Sequence, residues 1–128
     1  MKKIGMILLL TSVFLASCNQ ELDKERFSDS INQVIELENQ ELFQMEETNT
    51  EQFLVREEIA IAVQPVSEGT YIELYYTLNN ETQSSIYKLR NNDYKKMLRE
   101  EIIADMDSGE LDSNLDPSEI YLENTYHK

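Results

Sequence analysis

Two residue types that often perform catalysis or bind metals, His and Cys, are scarce in this chain. It contains one His and one Cys among 128 residues. The His, His127, is the penultimate residue, where fraying of a terminus prevents the accurate placement of an acid or a base. The single Cys excludes an internal disulfide and a Cys-rich metal centre. We therefore predict a protein that is not an enzyme and has no catalytic residues, cofactor or metal centre.

Residues 105–116 form the one stretch that resembles a cation site. Carboxylates recur there at short intervals, as in a calcium-binding loop, which also requires Gly at its sixth position and Glu at its twelfth. Counted from Asp105, however, Gly109 is at the fifth position and Asp116 at the twelfth. The stretch predicts an acidic tail that binds divalent ions loosely, with a calcium-dependent interaction module as an alternative.

The charge balance restricts the classes of partner. There are 25 acidic and 11 basic side chains, which gives a formal net charge of −14 at pH 7. A surface of this sign repels phosphate backbones and anionic lipid headgroups. The composition therefore excludes nucleic acid as a partner and excludes electrostatic adhesion to a bilayer. The length suits one compact domain with a tail.

The N-terminus has the pattern of an export signal. Lys2 and Lys3 precede residues 4–16, which are uncharged and mostly apolar. A helix of that length spans about 20 Å, which is less than the roughly 30 Å of the hydrocarbon layer. We therefore predict a signal that is removed and not a permanent transmembrane span.

The end of this run, Leu15-Ala16-Ser17-Cys18, resembles the lipobox of bacterial lipoproteins. The resemblance implies cleavage between Ser17 and Cys18, and a diacylglyceryl anchor (fatty chains such as palmitate) on the Cys18 sulfur. Two acyl chains hold a protein at a membrane where one chain does not. The frequent use of Lys, Asn, Ile and Glu suggests a low-GC Gram-positive source, so we expect the protein on the extracytoplasmic face of the cell membrane. The expected organisation is a signal at 1–17, a tether at 18–27, a domain at 28–106 and an acidic tail at 107–128.

One amphipathic helix is predicted over residues 29–45, with Ser28 as its N-cap. Its apolar stripe consists of Phe27, Ile31, Val34, Ile35, Leu42 and Met45. Glu38 interrupts this stripe at a position where an apolar residue would be ideal.

Strands with a period of two follow the helix. They are predicted over residues 59–64, 70–78 and 84–90, with turns at residues 79–82 and 91–93. Residues 94–98 form either a fourth strand followed by a helix to about residue 106, which we favour, or the beginning of a helix capped by Asp93. Residues 120–122 are expected to pack back on the core.

The sequence thus predicts an α+β fold in which a helix packs on a three- to four-stranded antiparallel meander. Alternate residues of a strand share a face. The residues that would face the helix are Ile72, Leu74, Tyr76 and Leu78 of the second strand, and Tyr87 and Leu89 of the third. Tyr71, Glu73 and Tyr75 would then be partly exposed on the other face. Alternating Tyr residues are more typical of a half-buried sheet face than of a pocket. We take this face, or alternatively the acidic side of the helix, as the candidate binding surface for an unknown envelope protein or peptide.

This arrangement is similar to a family of small Gram-positive lipoproteins with a cystatin-like fold, whose domain has no assigned function. Residues 15–18, 29–38, 69–76 and 87–89 carry the resemblance. Cystatins inhibit papain-like proteases with a Gln-x-Val-x-Gly hairpin, and Gln64, Val66 and Gly69 occupy the equivalent hairpin here with one extra residue. The resemblance implies fold and location, and it offers protease inhibition as an alternative function.

Overall fold

A long helix precedes an antiparallel sheet in this protein. The computed structural model describes residues 2–44, 53–112 and 114–124, with side chains described from Leu22 onward. The elements are α1 (Lys2–Gln44), β1 (Ala60–Gln64), β2 (Tyr71–Leu78), β3 (Glu81–Arg90), β4 (Asp93–Lys96), α2 (Arg99–Ser108) and β5 (Tyr121–Glu123), with short 3₁₀ helices at Arg56–Glu58 and Pro117–Glu119.

The sheet has five strands in the order β4-β3-β2-β1-β5, and every neighbouring pair is antiparallel. The predicted α+β class, a helix on an antiparallel sheet, is confirmed. The fifth strand comes from the segment predicted as an acidic tail. It joins the sheet because Tyr121, which pairs with Val63, buries its ring in the core. The prediction that residues 120–122 pack back on the core is confirmed for Tyr121.

Two-residue turns connect β2 to β3 and β3 to β4. Asn79 and Asn80 have φ angles of 53° and 64°, and Asn91 and Asn92 have φ angles of 52° and 68°. Tight hairpins require positive φ at both central residues, and Asn adopts this conformation more readily than most residues. These turns fix the register of the meander that the sequence predicts.

The main core lies between α1 and one face of the sheet. The stripe of α1 that packs there is fully or nearly buried, and consists of Phe27, Ile31, Val34, Ile35 and Leu42. Opposite it are Ile61, Val63, Ile72, Leu74, Tyr76 and Tyr87. The predicted inward faces of the second and third strands are therefore confirmed.

Helix α1 begins earlier than predicted. It is continuous from Lys2 to Gln44, so Ser28 lies inside the helix and the prediction that it is an N-cap is wrong. The segment predicted as a tether contains Glu, Leu, Lys, Arg and Gln, which favour helix, and no Gly or Pro to interrupt it. Ser28 instead accepts a hydrogen bond of 2.9 Å from Arg56. Residues 45–50, where the predicted helix ends and the pattern breaks, lie outside the described residues.

Helix α2 covers part of the opposite face of the sheet, which we call the second face. Tyr71, Met97 and Leu111 form a small second core there. The prediction that Tyr71 and Glu73 are partly exposed is therefore wrong, since only 1% and 8% of these residues is accessible, whereas Tyr75 is 36% exposed as expected. The sequence predicts the strand at β4 and the helix after it, and both are confirmed, but it does not indicate which face the helix covers.

Candidate functional site

Glu73 lies in a row of residues that crosses the second face. Its register partners are Ala62 on β1 and Ile86 on β3, and Leu122 on β5 pairs with Ala62. Directly opposed residues of antiparallel strands point to the same side of the sheet. The carboxylate of Glu73 is thus flanked by a small and an apolar side chain, and Leu122 ends the row with 56% of its surface exposed.

The Glu73 carboxylate has no hydrogen-bond or ion-pair partner within the part of the chain that the structure describes. Every described side-chain polar atom that is fully shielded from solvent forms a hydrogen bond. Since the Glu73 carboxylate forms none, it retains slight contact with solvent. Burial raises the pKa of Glu73 to about 7. Near neutral pH this carboxyl group therefore exists in both its charged and its neutral form.

An ion-pair cluster attaches α2 to the second face. One oxygen of Asp105 on α2 accepts hydrogen bonds of 2.8 Å from the Tyr71 hydroxyl and of 2.8 Å from the Lys88 ammonium. Lys88 also lies 3.1 Å from Glu110. The hydrogen bond from Lys88 holds the pKa of Asp105 below its ordinary value. This cluster fixes α2 over the Tyr71 end of the face and leaves the Tyr75 end open.

The hairpin of Gln64, Val66 and Gly69 is packed against α1. The Arg26 guanidinium donates hydrogen bonds of 3.2 Å and 2.7 Å to the carbonyls of Val66 and Ser67. Gly69 is buried at a φ of +62°, and a Cβ there would lie 2.7 Å from the Phe27 ring. Gly69 is therefore required by close packing, whereas Gln64 and Val66 are half-buried. Protease inhibition through this loop stays a prediction, and the loop would have to leave α1 to enter a cleft.

The acidic residues 105–116 are distributed over three local structures. Asp105 is held in the α2 cluster, and Gly109 ends α2 with a φ of 82°. The Asp116 side chain accepts a hydrogen bond from the Ser118 backbone at the start of a 3₁₀ helix. Among the described residues no three His, Cys, Asp or Glu side chains are grouped so as to hold a metal ion. Each named residue thus has a structural partner, and calcium binding remains an untested alternative.

A second buried carboxylate, Glu38, lies between α1 and the sheet, and only 1% of this residue is accessible. It accepts hydrogen bonds of 2.5 Å from Tyr76, 2.5 Å from Ser85 and 2.8 Å from Tyr87. The Lys96 ammonium is 3.1 Å from the same carboxylate. The Glu38 network therefore joins α1 to three successive strands of the sheet.

The electrostatics of Glu38 are the reverse of those of Glu73. Burial acts to raise the pKa of Glu38, but hydrogen bonds from Ser85, Tyr76 and Tyr87 and the charge of Lys96 lower it further than burial raises it. Burial and the donation to Glu38 raise the pKa of both tyrosines. The acceptor capacity of this carboxylate is used within the protein, so the Glu38 network is a structural unit.

The Glu38 network was not predicted from the sequence, although the sequence contains one indication of it. Glu38 occupies an apolar stripe, where a charged residue is buried only if it is paired. Its hydroxyl partners, however, come from β2 and β3, and nothing in the sequence fixes which residues lie beneath the helix at that point.

A groove of about 460 Å³ lies along another side of α1. Its lining includes the rings of Phe43 and Phe53 and the amide groups of Asn32, Asn39 and Gln40. The Asn39 side chain also hydrogen-bonds both backbone groups of Leu54, at 2.7 Å and 3.2 Å, and so fixes the chain entering the sheet. This groove is a second concave surface, separate from the second face.

The remaining predicted residues are at the chain ends. Ser17 and Cys18 lie within α1, and their side chains, like residue His127, are outside the part that is described. Over the described residues, none of the helices combines the length and apolar character needed to cross a membrane. No protein-family model, curated protein or solved structure matches the chain.

Proposed function

We propose that this protein is a lipid-anchored, non-enzymatic binding module on the extracytoplasmic face of a Gram-positive cell membrane. The location is supported by the basic head, by the short apolar run and by Leu15-Ala16-Ser17-Cys18. A diacylglyceryl group on Cys18 would hold the protein at the membrane, and α1 would connect this anchor to the sheet.

The binding role is supported above all by one observation, the unpartnered Glu73 carboxylate on the incompletely covered second face. Tyr75 and Leu122 are exposed on the same face, at 36% and 56%. Exposed apolar side chains beside an uncompensated buried polar group are typical of a surface that is completed by a partner. The partner would be another envelope protein or a peptide.

We also infer kinship with the small lipoproteins of cystatin-like fold. Support comes from α1 packed across an antiparallel sheet, since residues 29–38 lie in α1, 71–76 in β2 and 87–89 in β3. The strand β5, which the C-terminal segment supplies, is additional to the pattern expected from the sequence. Fold kinship by itself assigns no reaction.

Metabolic labelling with radioactive palmitate tests the anchor. Cys18→Ala removes the only thiol, so we expect loss of the label and loss of the protein from the membrane fraction. Ser12→Ala, a change in the apolar run outside the lipobox pattern, is the matched control and should retain both. Equal labelling and equal membrane retention of the Cys18→Ala protein would contradict the proposed location.

Photo-crosslinking on intact cells tests the binding surface. Benzoylphenylalanine in place of Leu122 should give a discrete adduct with one neighbour, and Tyr75→Lys on the same face should abolish this adduct. The matched control places the photoreactive residue at Phe43, in the groove of α1. An adduct only from position 43 would assign binding to the groove, and no adduct from position 122 rejects the second face as the binding surface.

A further inference from the structure

Glu73 has no partner, in contrast to Glu38, the other fully buried carboxylate of the described chain. It differs in the same way from two half-buried acids, Glu123 and Asp105. Glu38 binds three hydroxyls and Lys96, and Glu123 binds Arg56 through both of its oxygens at 2.6 and 2.8 Å. Asp105 is paired with Lys88 at 2.8 Å. Glu73 is 8% accessible and only burial acts on its charge. The fold thus supplies partners for these three acids and leaves Glu73 on the solvent side of the second face without one.

The immediate surroundings of Glu73 do not supply a compensating charge. Its cross-strand neighbours are Ala62 and Ile86. Lys88, which pairs with Tyr71 on the same face, is already bound by Asp105 and Glu110 at 2.8 and 3.1 Å. A buried charge without a partner is costly, so a cation brought from outside would bind the charged form of Glu73 with little competition from within the fold.

We propose that Glu73 is the specificity residue of the second face and receives a Lys or Arg side chain from a protein segment whose neighbouring apolar residues contact Tyr75 and Leu122. This inference rests on the proposed function, because it uses the same face as the binding surface. The protein carries a net charge of −14, which favours a basic partner segment over a long range.

Two other occupants are less compatible with the observed chemistry. Calcium requires six or more oxygen ligands, and the row that contains Glu73 offers one carboxylate between Ala62 and Ile86. A second copy of this chain in a symmetric dimer would place two Glu73 residues on one apolar interface and bring two acidic molecules together. A basic segment satisfies both the apolar rim and the carboxylate.

A peptide selection tests this specificity directly. Random octapeptides displayed on phage are selected against the full-length protein in detergent micelles, and the enriched peptides are then synthesised. We expect them to contain Lys or Arg next to apolar residues. Replacement of the Arg by citrulline, which keeps the shape and removes the charge, should weaken binding about 10-fold or more, as expected for loss of a buried charged hydrogen bond.

Three variants of the protein test whether Glu73 recognises the positive charge of the peptide. Glu73→Gln should weaken binding of the Arg peptide by about the same factor. It should change the affinity for the citrulline peptide by no more than about twofold, because the two changes remove the same ion pair. Glu81→Gln, at an exposed carboxylate on β3, is the matched control and should change neither peptide. Leu122→Glu should abolish binding of both peptides.

The possible outcomes separate this inference from the proposed function. The role of Glu73 is refuted if the enriched peptides lack basic residues, or if they bind the Glu73→Gln variant as tightly as the unmodified protein. The second face still stands as the binding surface in that case, provided that Leu122→Glu abolishes binding. If no peptide is enriched, or binding is indifferent to Leu122→Glu, both the role of Glu73 and the second face as a binding surface are refuted.

Discussion

Two buried carboxylates of this protein, Glu38 and Glu73, have opposite surroundings, and each determines a different property. Glu38 is saturated by three hydroxyls and a lysine, so its charged form is stabilised. Glu73 is surrounded by apolar side chains, so its neutral form is favoured. At the scale of single residues, the first contributes to the cohesion of the fold and the second is available for binding.

Replacement of Glu38 should be among the most destabilising single changes in the chain. Glu38→Gln keeps the shape but removes the negative charge opposite Lys96 and places an amide group among hydroxyl donors. We expect a loss of about 2–4 kcal/mol in the free energy of unfolding, measured by urea denaturation. Glu41→Gln, which removes an exposed partner of Lys96, should cost less than about 1 kcal/mol. Equal effects of the two changes would contradict a structural role for the Glu38 network.

The pH dependence of stability should reveal Glu73. Its pKa is about 7 in the folded protein against an ordinary value of 4.5, so the folded state holds a proton that the unfolded chain releases between these values. The contribution of Glu73 to stability is therefore greatest below pH 4.5 and is lost as the pH rises through 7. Glu38, whose pKa is lowered, acts in the opposite sense and loses its contribution only as the pH falls below 4.5.

Glu73→Gln isolates this contribution. The variant should match the unmodified protein near pH 4 and become more stable than it at pH 8, by at most about 3 kcal/mol. Thermal unfolding across the pH range measures the difference. Glu81→Gln serves as the control for loss of an exposed carboxylate, and a Glu73→Gln difference that does not vary with pH would show that this carboxyl group titrates normally.

At the scale of the elements, Arg56 connects three parts of the chain. Its guanidinium forms a bidentate pair with Glu123 on β5 and donates to Ser28 and Asn32 on α1. The backbone carbonyl of Arg56 also accepts a hydrogen bond of 2.6 Å from Asn124. These contacts hold a strand of three residues at the edge of the sheet, where backbone pairing alone is weak.

Loss of the Arg56–Glu123 pair should release β5 before the rest of the sheet. In the Glu123→Gln variant the guanidinium group of Arg56 loses its charged partner. We therefore expect amide hydrogen exchange in β5 and in the paired residues of β1 to become about 10-fold faster or more. Exchange in β3 should stay unchanged. Glu58→Gln, at an exposed position beside β1, is the control. Uniform acceleration over all five strands would indicate that β5 is part of one global unfolding unit.

At the scale of the whole molecule, the acidic charge acts against the compact state. Several of the few basic residues form ion pairs, as Lys96 does with Glu38 and Glu41, Arg90 with Glu101, and Arg56 with Glu123. Most of the other carboxylates on the described surface are exposed and repel one another through solvent, whereas Glu73 is buried without a pair. The same field favours a basic partner and resists association with anionic surfaces.

Salt should therefore stabilise this protein. Raising NaCl from about 0.02 M to about 0.2 M shortens the Debye length to roughly 7–10 Å and screens the repulsion between exposed carboxylates. We expect the Tm of the full-length protein to rise by a few degrees, as measured by circular dichroism. Glu100→Lys, an exposed charge reversal on α2, should reduce this increase. A falling Tm would indicate that the ion pairs outweigh the general repulsion.

The local structure of this protein follows from short-range patterns along the chain. The α+β class and the inward faces of the strands could be predicted from patterns of neighbouring residues. These patterns are the alternation in β2 and β3, the paired Asn residues at the turns and the apolar stripe of α1. The beginning of α1 was predicted wrongly, because a polar segment of residues with high helix propensity is compatible both with a tether and with a helix.

The residues of the candidate site, in contrast, are brought together only by the packing of distant elements. The burial of Tyr71 depends on α2 returning across the second face. The partners of Glu38 depend on the register of strands 38 to 58 residues away in the chain. No local pattern encodes such contacts, because they arise only when separate elements pack together. The charge state of a carboxylate follows from its surroundings, and these exist only in the folded protein.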